Sequence, residues 1–271
     1  MNKHKQPHSI GMFDSGVGGL TVMQQIMRTL PHEHIVYFGD TARVPYGEKS
    51  PETIIRYSLE IARFLMENNN IKALVVACNT VSSCSLDELQ KICKAPVIGV
   101  IEPGAEKAVE VTRNGRIAVL GTRRTIASGA YEKEILQRLP KAFVIGVACP
   151  LLTPLVEEHF ITHNAAKMIV REYLAPLHDQ NIDTVLLGCT HYPLLRPLIE
   201  AELGPQVTIV DSAQTCAERV AAILKNKRME ASCSAAFPHK YFVSDDPERF
   251  RTLGKTFLGM ELEPVEMRRL L

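Results

Sequence analysis

The sequence lacks the marks of a nucleic-acid-binding or membrane-spanning protein. Its 31 Lys and Arg residues against 30 Asp and Glu residues leave a net charge of +1, and no long block of basic residues occurs. The electrostatic signature of a nucleic-acid binder is therefore missing. The apolar stretches at 73–78 and 185–187 are far shorter than the roughly 20 residues that cross a bilayer. These absences favour a small, near-neutral partner and exclude a membrane span.

Cysteine is present, but in no pattern that indicates disulfides or structural zinc. Seven cysteines cannot all pair, and no Cys-x-x-Cys motif occurs. The segment 1–9 (MNKHKQPHS) has no apolar core of a secretory signal. We therefore expect a reducing, cytoplasmic location, where most cysteines are small buried hydrophobes.

Two other absences concern linkers and phosphate-binding loops. No Pro-, Gly- or Ser-rich segment divides the chain, so any domain boundary must be a tight crossover. The loop 14–19 (DSGVGG) is not followed by Gly-Lys-Ser/Thr, and Thr21 stands where a dinucleotide motif has its third glycine. The loop amides could hold a carboxylate, or the glycines could serve only a tight turn.

What is present is an alternation of short apolar runs with longer amphipathic segments, which is typical of an α/β fold. The predicted strands are 10–13, 35–38, 74–77, 97–100, 117–120, 144–148, 185–187, 207–210 and 241–243. The predicted helices are 19–30, 85–93, 105–113, 127–139, 164–177, 194–203 and 213–227, with two more starting at Ser50-Pro51-Glu52 and Asp246-Pro247-Glu248. Apolar strands without alternation indicate a sheet covered on both faces, and thus a doubly wound α/β architecture. A length of 271 residues predicts about two domains.

Cys78 and Cys189 occupy similar positions in this pattern. Each follows an apolar strand directly, and the segments 73–80 (ALVVACNT) and 184–191 (TVLLGCTH) resemble each other, which suggests an internal duplication. Both thiols should lie at carboxyl ends of strands, where open α/β sheets bind ligands and helix N-termini favour a thiolate. Either cysteine alone is most simply an inert buried thiol, and a metal site that includes His191 is an alternative. Two cysteines in matching positions favour a functional pair.

Two thiols that face each other across a cleft suit one kind of chemistry. Racemisation and epimerisation remove a proton from one face of a carbon and return one to the other face, so they need an acid/base group on each side. The pair therefore predicts a racemase or epimerase. The other cysteines are predicted to be packing residues: Cys84, Cys93, Cys149, Cys216 and Cys233.

Two further polar clusters carry little information when taken alone. The segment 40–47 (DTARVPYG) follows the second strand and should present backbone amides and a phenol at the same sheet edge, but by itself it is a Pro/Gly turn. Glu157 and Glu158 are adjacent acids, which usually belong to a solvated face.

Together, these motifs closely resemble the glutamate racemases, cofactor-independent enzymes of the aspartate/glutamate racemase superfamily. The resemblance spans about residues 10 to 212 and keeps the motifs in order. It rests on the segments 14–19, 39–43 (GDTAR), 45–47, 77–80, 99–104 (GVIEPG), 121–122 and 188–193 (GCTHYP).

The resemblance implies two similar α/β domains with the active site in the cleft between them, the first formed by 1–98 with 210–271 and the second by the inserted segment 99–209. It implies that Cys78 and Cys189 are the acid/base thiols. The catalytic acids beside them would be Asp14, near Cys78, and His191 with Glu157, near Cys189; Thr153 stands where a valine is expected. The implied substrate-binding residues are Asp14, Ser15, Tyr46, Gly47, Asn79, Thr80, Thr190 and His191.

The implied activity is an isomerase reaction that interconverts L- and D-glutamate without a cofactor or a metal. It would supply D-glutamate for bacterial peptidoglycan, and hence for cell-wall biogenesis and cell shape, from a cytoplasmic homodimer. Two alternatives stay open. A related activity such as aspartate racemisation depends on a pocket depth that the sequence does not show, and a non-catalytic metal or redox module would use the same cysteines differently.

Overall fold

The computed structural model of the protein describes residues 8–231 and 237–270. The strands within these residues form two sheets in which every neighbouring pair is parallel. In chain order they are β1 (Ser9–Asp14), β2 (Ile35–Gly39), β3 (Ile71–Val76), β4 (Val97–Gly99), β5 (Arg116–Gly121), β6 (Phe143–Ala148), β7 (Thr184–Gly188), β8 (Thr208–Asp211), β9 (Lys240–Val243) and β10 (Val265–Met267).

The two sheets share a strand order. The first sheet runs β10-β9-β2-β1-β3-β4, and the second runs β6-β5-β7-β8. When β9 and β10 are set aside, the order second-first-third-fourth is common to both sheets. The duplication suggested by the two cysteine segments therefore has a counterpart in topology, and the predicted doubly wound α/β class is confirmed.

Helices connect the strands and cover the sheets, as parallel pairing requires. They are α1 (Leu20–Thr29), α2 (Pro51–Asn68), α3 (Asn79–Ile92), α4 (Ile101–Val111), α5 (Arg123–Ala127), α6 (Ala130–Arg138), α7 (Leu152–Glu157), α8 (Asn164–Leu174), α9 (Arg196–Leu203), α10 (Ser212–Asn226) and α11 (Pro247–Leu258). Local signals start several of them. The Ser50 hydroxyl accepts a hydrogen bond from the Thr53 amide ahead of α2, and the Asp246 carboxylate accepts one from the Arg249 amide in α11.

The structure differs from the predicted elements in several places. Helix α3 begins at Asn79 rather than at residue 85, and α5, α7 and β10 were not predicted. The start of α3 was missed because serines, rather than apolar residues, occupy buried positions in its first turns. The Ser82 hydroxyl donates to the Val76 carbonyl, and the Ser85 hydroxyl lies 3.2 Å from that of Ser58 inside the core. Polar side chains can be buried here because each one has a partner.

The described cysteines are all free thiols. Cys149 and Cys216 are fully buried, as predicted for packing residues, whereas Cys84 and Cys93 are half-buried. Cys233 lies outside the described residues. Among the residues that the structure covers, no helix is both long and apolar enough to cross a membrane.

Candidate active site

A cavity of about 280 Å³ lies where the carboxyl ends of strands from both sheets come together. All the site residues that the sequence predicted line it, except Asp14. The full lining is Ser15, Gly16, Val44, Pro45, Tyr46, Gly47, Glu48, Cys78, Asn79, Thr80, Thr122, Arg123, Pro150, Thr153, Pro154, Glu157, Glu158, Cys189, Thr190 and His191. One thiol from each sheet therefore faces a shared space.

Cys78 follows β3 and precedes the first residue of α3. Its Sγ lies 3.6 Å from the Ser15 hydroxyl oxygen, in hydrogen-bonding distance. Burial and the nearby charge of Asp14 raise the pKa of the Cys78 thiol to about 12, although the amides of Val81 and Ser15 act in the opposite direction. The raised pKa favours the neutral thiol at Cys78, which can donate a proton.

The glycine loop after β1 binds a carboxylate, as its amides suggested, and this carboxylate is the side chain of Asp14 in the same loop. The Asp14 carboxylate accepts a hydrogen bond of 2.9 Å from the Gly16 amide and is fully buried behind the cavity wall. Burial raises the pKa of Asp14 above its ordinary value, while the charge of His191 and the amides of Gly16 and Gly19 partly oppose that effect. Asp14 thus acts on Cys78 electrostatically and does not line the cavity.

Cys189 follows β7 and has a different set of partners. Its Sγ lies 3.9 Å from His191 Nδ1 and 3.8 Å from the Thr153 hydroxyl oxygen. His191 Nε2 lies 2.9 Å from a carboxylate oxygen of Glu157, so the imidazole bridges the thiol and the acid. Burial lowers the pKa of His191, but its hydrogen bonds to Cys189 and Glu157 outweigh burial and raise the pKa to about 10. At neutral pH the imidazole is therefore a cation beside Cys189.

Two contacts fix the Cys189 loop against the first sheet. The Thr21 hydroxyl, on α1, donates to the Thr190 carbonyl over 2.9 Å. A Cβ at Gly18 would lie 2.3 Å from the Thr190 hydroxyl oxygen and 2.5 Å from the His191 ring. Gly18 is therefore required for close approach of the two loops.

Another part of the cavity wall is built by the turn 40–47 and by the start of α3. Buried Asp40 accepts hydrogen bonds from the Tyr46 hydroxyl, from the Arg43 Nε over 2.6 Å and from the Ser244 hydroxyl over 2.8 Å. Those hydrogen bonds fix Tyr46 in the cavity wall. The conformation of the turn is therefore stabilised by Asp40, which its Pro/Gly composition did not indicate.

Asn79 and Thr80 are held by side chains from helix α6 and from the loop after β5, which belong to the second sheet's half of the protein. The Tyr131 hydroxyl donates to the Asn79 side-chain carbonyl over 2.6 Å, and the Thr80 and Thr122 hydroxyl oxygens are 2.9 Å apart. Thr122 also caps α5 by accepting from the Thr125 amide. The cavity therefore presents amide and hydroxyl groups whose orientations are set by contacts across the cleft.

Some cavity residues were not assigned a role from the sequence. Arg123, Glu48 and Glu158 line the cavity, and Arg249 pairs with Glu158 over 2.8 Å and with Glu157 over 3.8 Å. Thr153, identified only as an unexpected replacement of valine, contacts the Cys189 sulfur. No local pattern marks Arg249, because its partners lie more than 90 residues away in the chain.

The arrangement of Cys78, Cys189 and His191 differs from that of a metal site. Within residues 8–231 and 237–270, no group of three or more His, Cys, Asp or Glu side chains is arranged to hold a metal ion. His191, the proposed third ligand beside Cys78 and Cys189, instead directs Nε2 at Glu157 and Nδ1 at Cys189.

Comparisons with known proteins agree with this arrangement. The family model for Asp/Glu/hydantoin racemases matches residues 10–220. A glutamate racemase from Geobacter metallireducens is 52% identical over 257 residues, which are 95% of each chain. A crystal structure of a glutamate racemase isoform from Bacillus anthracis superposes with a TM-score of 0.94 at 41% identity, covering 98% of this chain and 99% of that one. One from Francisella tularensis, in complex with D-glutamate, gives 0.91 at 36% identity, with 97% and 98% coverage.

Fold and site together define a class: parallel α/β proteins in which each of two matching sheets contributes one strand-end thiol to a common cavity. The family match covers most of the chain, and the relatives align over nearly their whole length. The chain belongs to the Asp/Glu/hydantoin racemase family.

Proposed function

We propose that this protein interconverts L- and D-glutamate by proton transfer between Cys78, the substrate α-carbon and Cys189, without a cofactor. The observation that carries the proposal is the placement of the two thiols. They follow β3 and β7, which hold the same position in two sheets of the same order, and both line one cavity. The names of the relatives supply the substrate, since several are glutamate racemases and one was solved with D-glutamate.

The proton balance requires one ionised and one protonated thiol at the start of each turnover. The thiolate removes the α-proton from one face of the substrate, and the opposite thiol donates its proton to the other face. Afterwards the two thiols have exchanged protonation states. Cys78, with a pKa raised to about 12, suits the initial donor. His191, protonated at Nδ1 beside Cys189, suits stabilisation of the initial thiolate.

The intermediate would carry negative charge spread from the α-carbon to the carboxylate. Donors that are already oriented stabilise such charge best, because they do not need to reorganise. The side chains of Asn79, Thr80, Thr190 and Ser15 line the cavity and are proposed to bind the substrate's amino and carboxylate groups. Tyr46 and Gly47 complete the proposed binding set, while Asp14 and Glu157 are proposed to act through Cys78 and His191.

We propose a setting that follows from this activity. The product would supply D-glutamate for bacterial peptidoglycan, in a cytoplasmic enzyme that forms a homodimer. The two sheets would mark two domains, residues 1–98 with 210–271 and residues 99–209, with the active site in their cleft. Strand β8, which lies in the second sheet and ends at Asp211, supports a return to the first domain close to residue 210.

Circular dichroism of L-glutamate solutions tests the reaction. The wild type should drive the signal to zero, and Cys78→Ala and Cys189→Ala should each lose this activity by at least about 10²-fold while remaining folded. Cys93→Ala, which removes a half-buried thiol at the end of α3 outside the cavity, is the matched control and should stay active. Retention of activity by either cavity variant would contradict the two-thiol mechanism.

Racemisation assays with both amino acids, together with the zinc content of the purified protein, separate the alternative functions. Faster turnover of L-aspartate than of L-glutamate would replace the proposed substrate with its shorter homologue. Stoichiometric zinc in the purified protein, with no racemisation of either acid after zinc removal and thiol reduction, would instead support a metal or redox module.

A further inference from the structure

The C-terminal helix α11 reaches the Cys189 side of the cavity although it packs on the first sheet's elements. Gln24 of α1 donates side-chain hydrogen bonds to the carbonyls of Phe257 and Leu258, and the Phe250 ring lies 5.8 Å from the ring of Tyr37 in β2. Helix α11 is therefore anchored on the first sheet, whereas Cys189, His191 and Glu157 come from the second sheet's strands and loops.

Two side chains of α11 contact the acid–base pair behind Cys189. The Phe257 ring packs edge-on against the His191 imidazole, with centroids 5.3 Å apart and an interplanar angle of 87°. Two turns earlier, Arg249 Nη2 lies 2.8 Å from Glu158 and 3.8 Å from the Glu157 oxygen that His191 does not use. One helix thus supports both the imidazole and the carboxylate.

We propose that Arg249 and Phe257 are positioning residues that couple the first sheet to the Cys189 half of the site. Phe257 limits rotation of the His191 ring, so that Nδ1 stays directed at Cys189. Arg249 keeps Glu157 ionised and aimed at His191 Nε2. The expected effect of these two residues on turnover rests on the proposed function. Their expected effect on the reactivity of Cys189 does not, because that reactivity can be measured without any substrate.

The electrostatic part of this proposal depends on all the charges near Glu157. His191 and Arg249 are the facing cations, while Glu158 on the same helix end and buried Asp14 are the nearby acids. Burial raises the pKa of Glu157, but His191 and Arg249 outweigh burial and hold it below its usual value. Without Arg249, Glu157 would be protonated at higher pH and would lose the contact to its second oxygen, so its carboxylate would be held less firmly toward His191 Nε2.

Alkylation of the two thiols by iodoacetamide, followed by peptide mapping, provides the test. Arg249→Gln should slow alkylation of Cys189 by about 3–10-fold near neutral pH, because the His191 ring would be directed less firmly at the sulfur, and should leave Cys78 unchanged. Phe257→Leu, which keeps apolar volume, should have the same selective effect. Lys255→Gln removes one positive charge from the exposed side of the same helix, where Lys255 pairs with Glu261, and should alter neither rate.

Turnover gives a second measurement on the same variants. The acid limb of the kcat/KM profile should move to higher pH by about 0.5 unit in Arg249→Gln, while Arg249→Lys should restore part of the shift. Equal slowing of both thiols, or no slowing of Cys189, would overturn the proposal. Selective slowing of Cys189 in a protein that does not racemise glutamate would support the positioning role and reject the proposed function.

Discussion

Cys78 and Cys189 occupy equivalent places in two sheets of the same strand order and open into one cavity, yet their surroundings differ. Cys78 lies beside buried Asp14 and the Ser15 hydroxyl, whereas Cys189 lies beside an imidazole that is bonded to Glu157. The two thiols therefore hold equivalent positions in the fold, but different charged and polar groups surround them. This difference suits the proposed exchange of acid and base roles between the two thiols.

The first prediction concerns His191. His191→Asn keeps a hydrogen-bonding side chain but cannot hold the proton that serves Cys189, so kcat/KM should fall by about 10²–10⁴-fold. The factor should be the same for L- and D-glutamate, because enantiomers have equal free energies and the equilibrium constant is one. Circular dichroism started from each enantiomer measures it. His178→Asn, at an exposed ion pair with Glu202, is the control, and retained activity in His191→Asn would refute the role.

The second prediction concerns Arg123, an exposed cation at the cavity. Among the described carboxylates none forms an ion pair with it, so its charge is available to an anionic ligand. Arg123→Gln should raise KM for glutamate by about 3–10-fold with little change in kcat, and should weaken the salt dependence of kcat/KM. Arg63→Gln on exposed α2, outside the cavity lining, removes the same charge as a control. An equal effect from both variants would assign the change to net charge.

The third prediction concerns a buried ion pair far from the chemistry. Lys72 Nζ lies 2.6 Å from a Glu33 carboxylate oxygen, with side chains only 5% and 2% exposed. Lys72→Met leaves Glu33 buried and uncompensated, so the free energy of unfolding should fall by about 3–5 kcal/mol. The double variant Glu33→Leu/Lys72→Met should recover much of that loss, as urea denaturation would measure. A double variant no more stable than the single would contradict the pairing.

The fourth prediction concerns acid stability. Burial lowers the pKa of His239 to about 4 and also lowers that of His34, whose ring bonds to the Pro238 carbonyl. The unfolded chain therefore binds more protons between about pH 6.5 and pH 4, and stability should decline as the pH falls through that window. For His239 the loss should be about 1–2 kcal/mol, allowing for its partial exposure.

His239→Asn provides the check on that prediction, because its side-chain oxygen can replace the ring nitrogen that accepts from the Ile35 amide. Thermal unfolding from pH 4 to 7 should show a shallower dependence in this variant than in the wild type. An unchanged slope would exclude His239 as the titrating group.

Much of the site could be predicted because parallel strands bring their carboxyl ends to one edge. Each of the loops after β1, β2, β3, β5 and β7 contributes lining residues, as the strand predictions required. The family resemblance is confirmed by the family match, while the catalytic and binding roles of the individual residues stay predictions. Helix α7, with Thr153 and Glu157, was missed because six residues containing a proline give no helical periodicity.

The sequence by itself determined the α/β alternation, the two matching strand-end cysteines and the family, because these depend on local patterns and on motifs that keep their order. The family resemblance also implied that Asp14 lies near Cys78 and that His191 and Glu157 lie near Cys189. Only the tertiary structure decided which further side chains contact these groups: it brought Arg249 and Phe257 of α11 to the His191–Glu157 pair and the Thr153 hydroxyl to Cys189. Such contacts join residues far apart in the chain, and they arise from how the two sheets and the C-terminal helix pack, which no local pattern encodes.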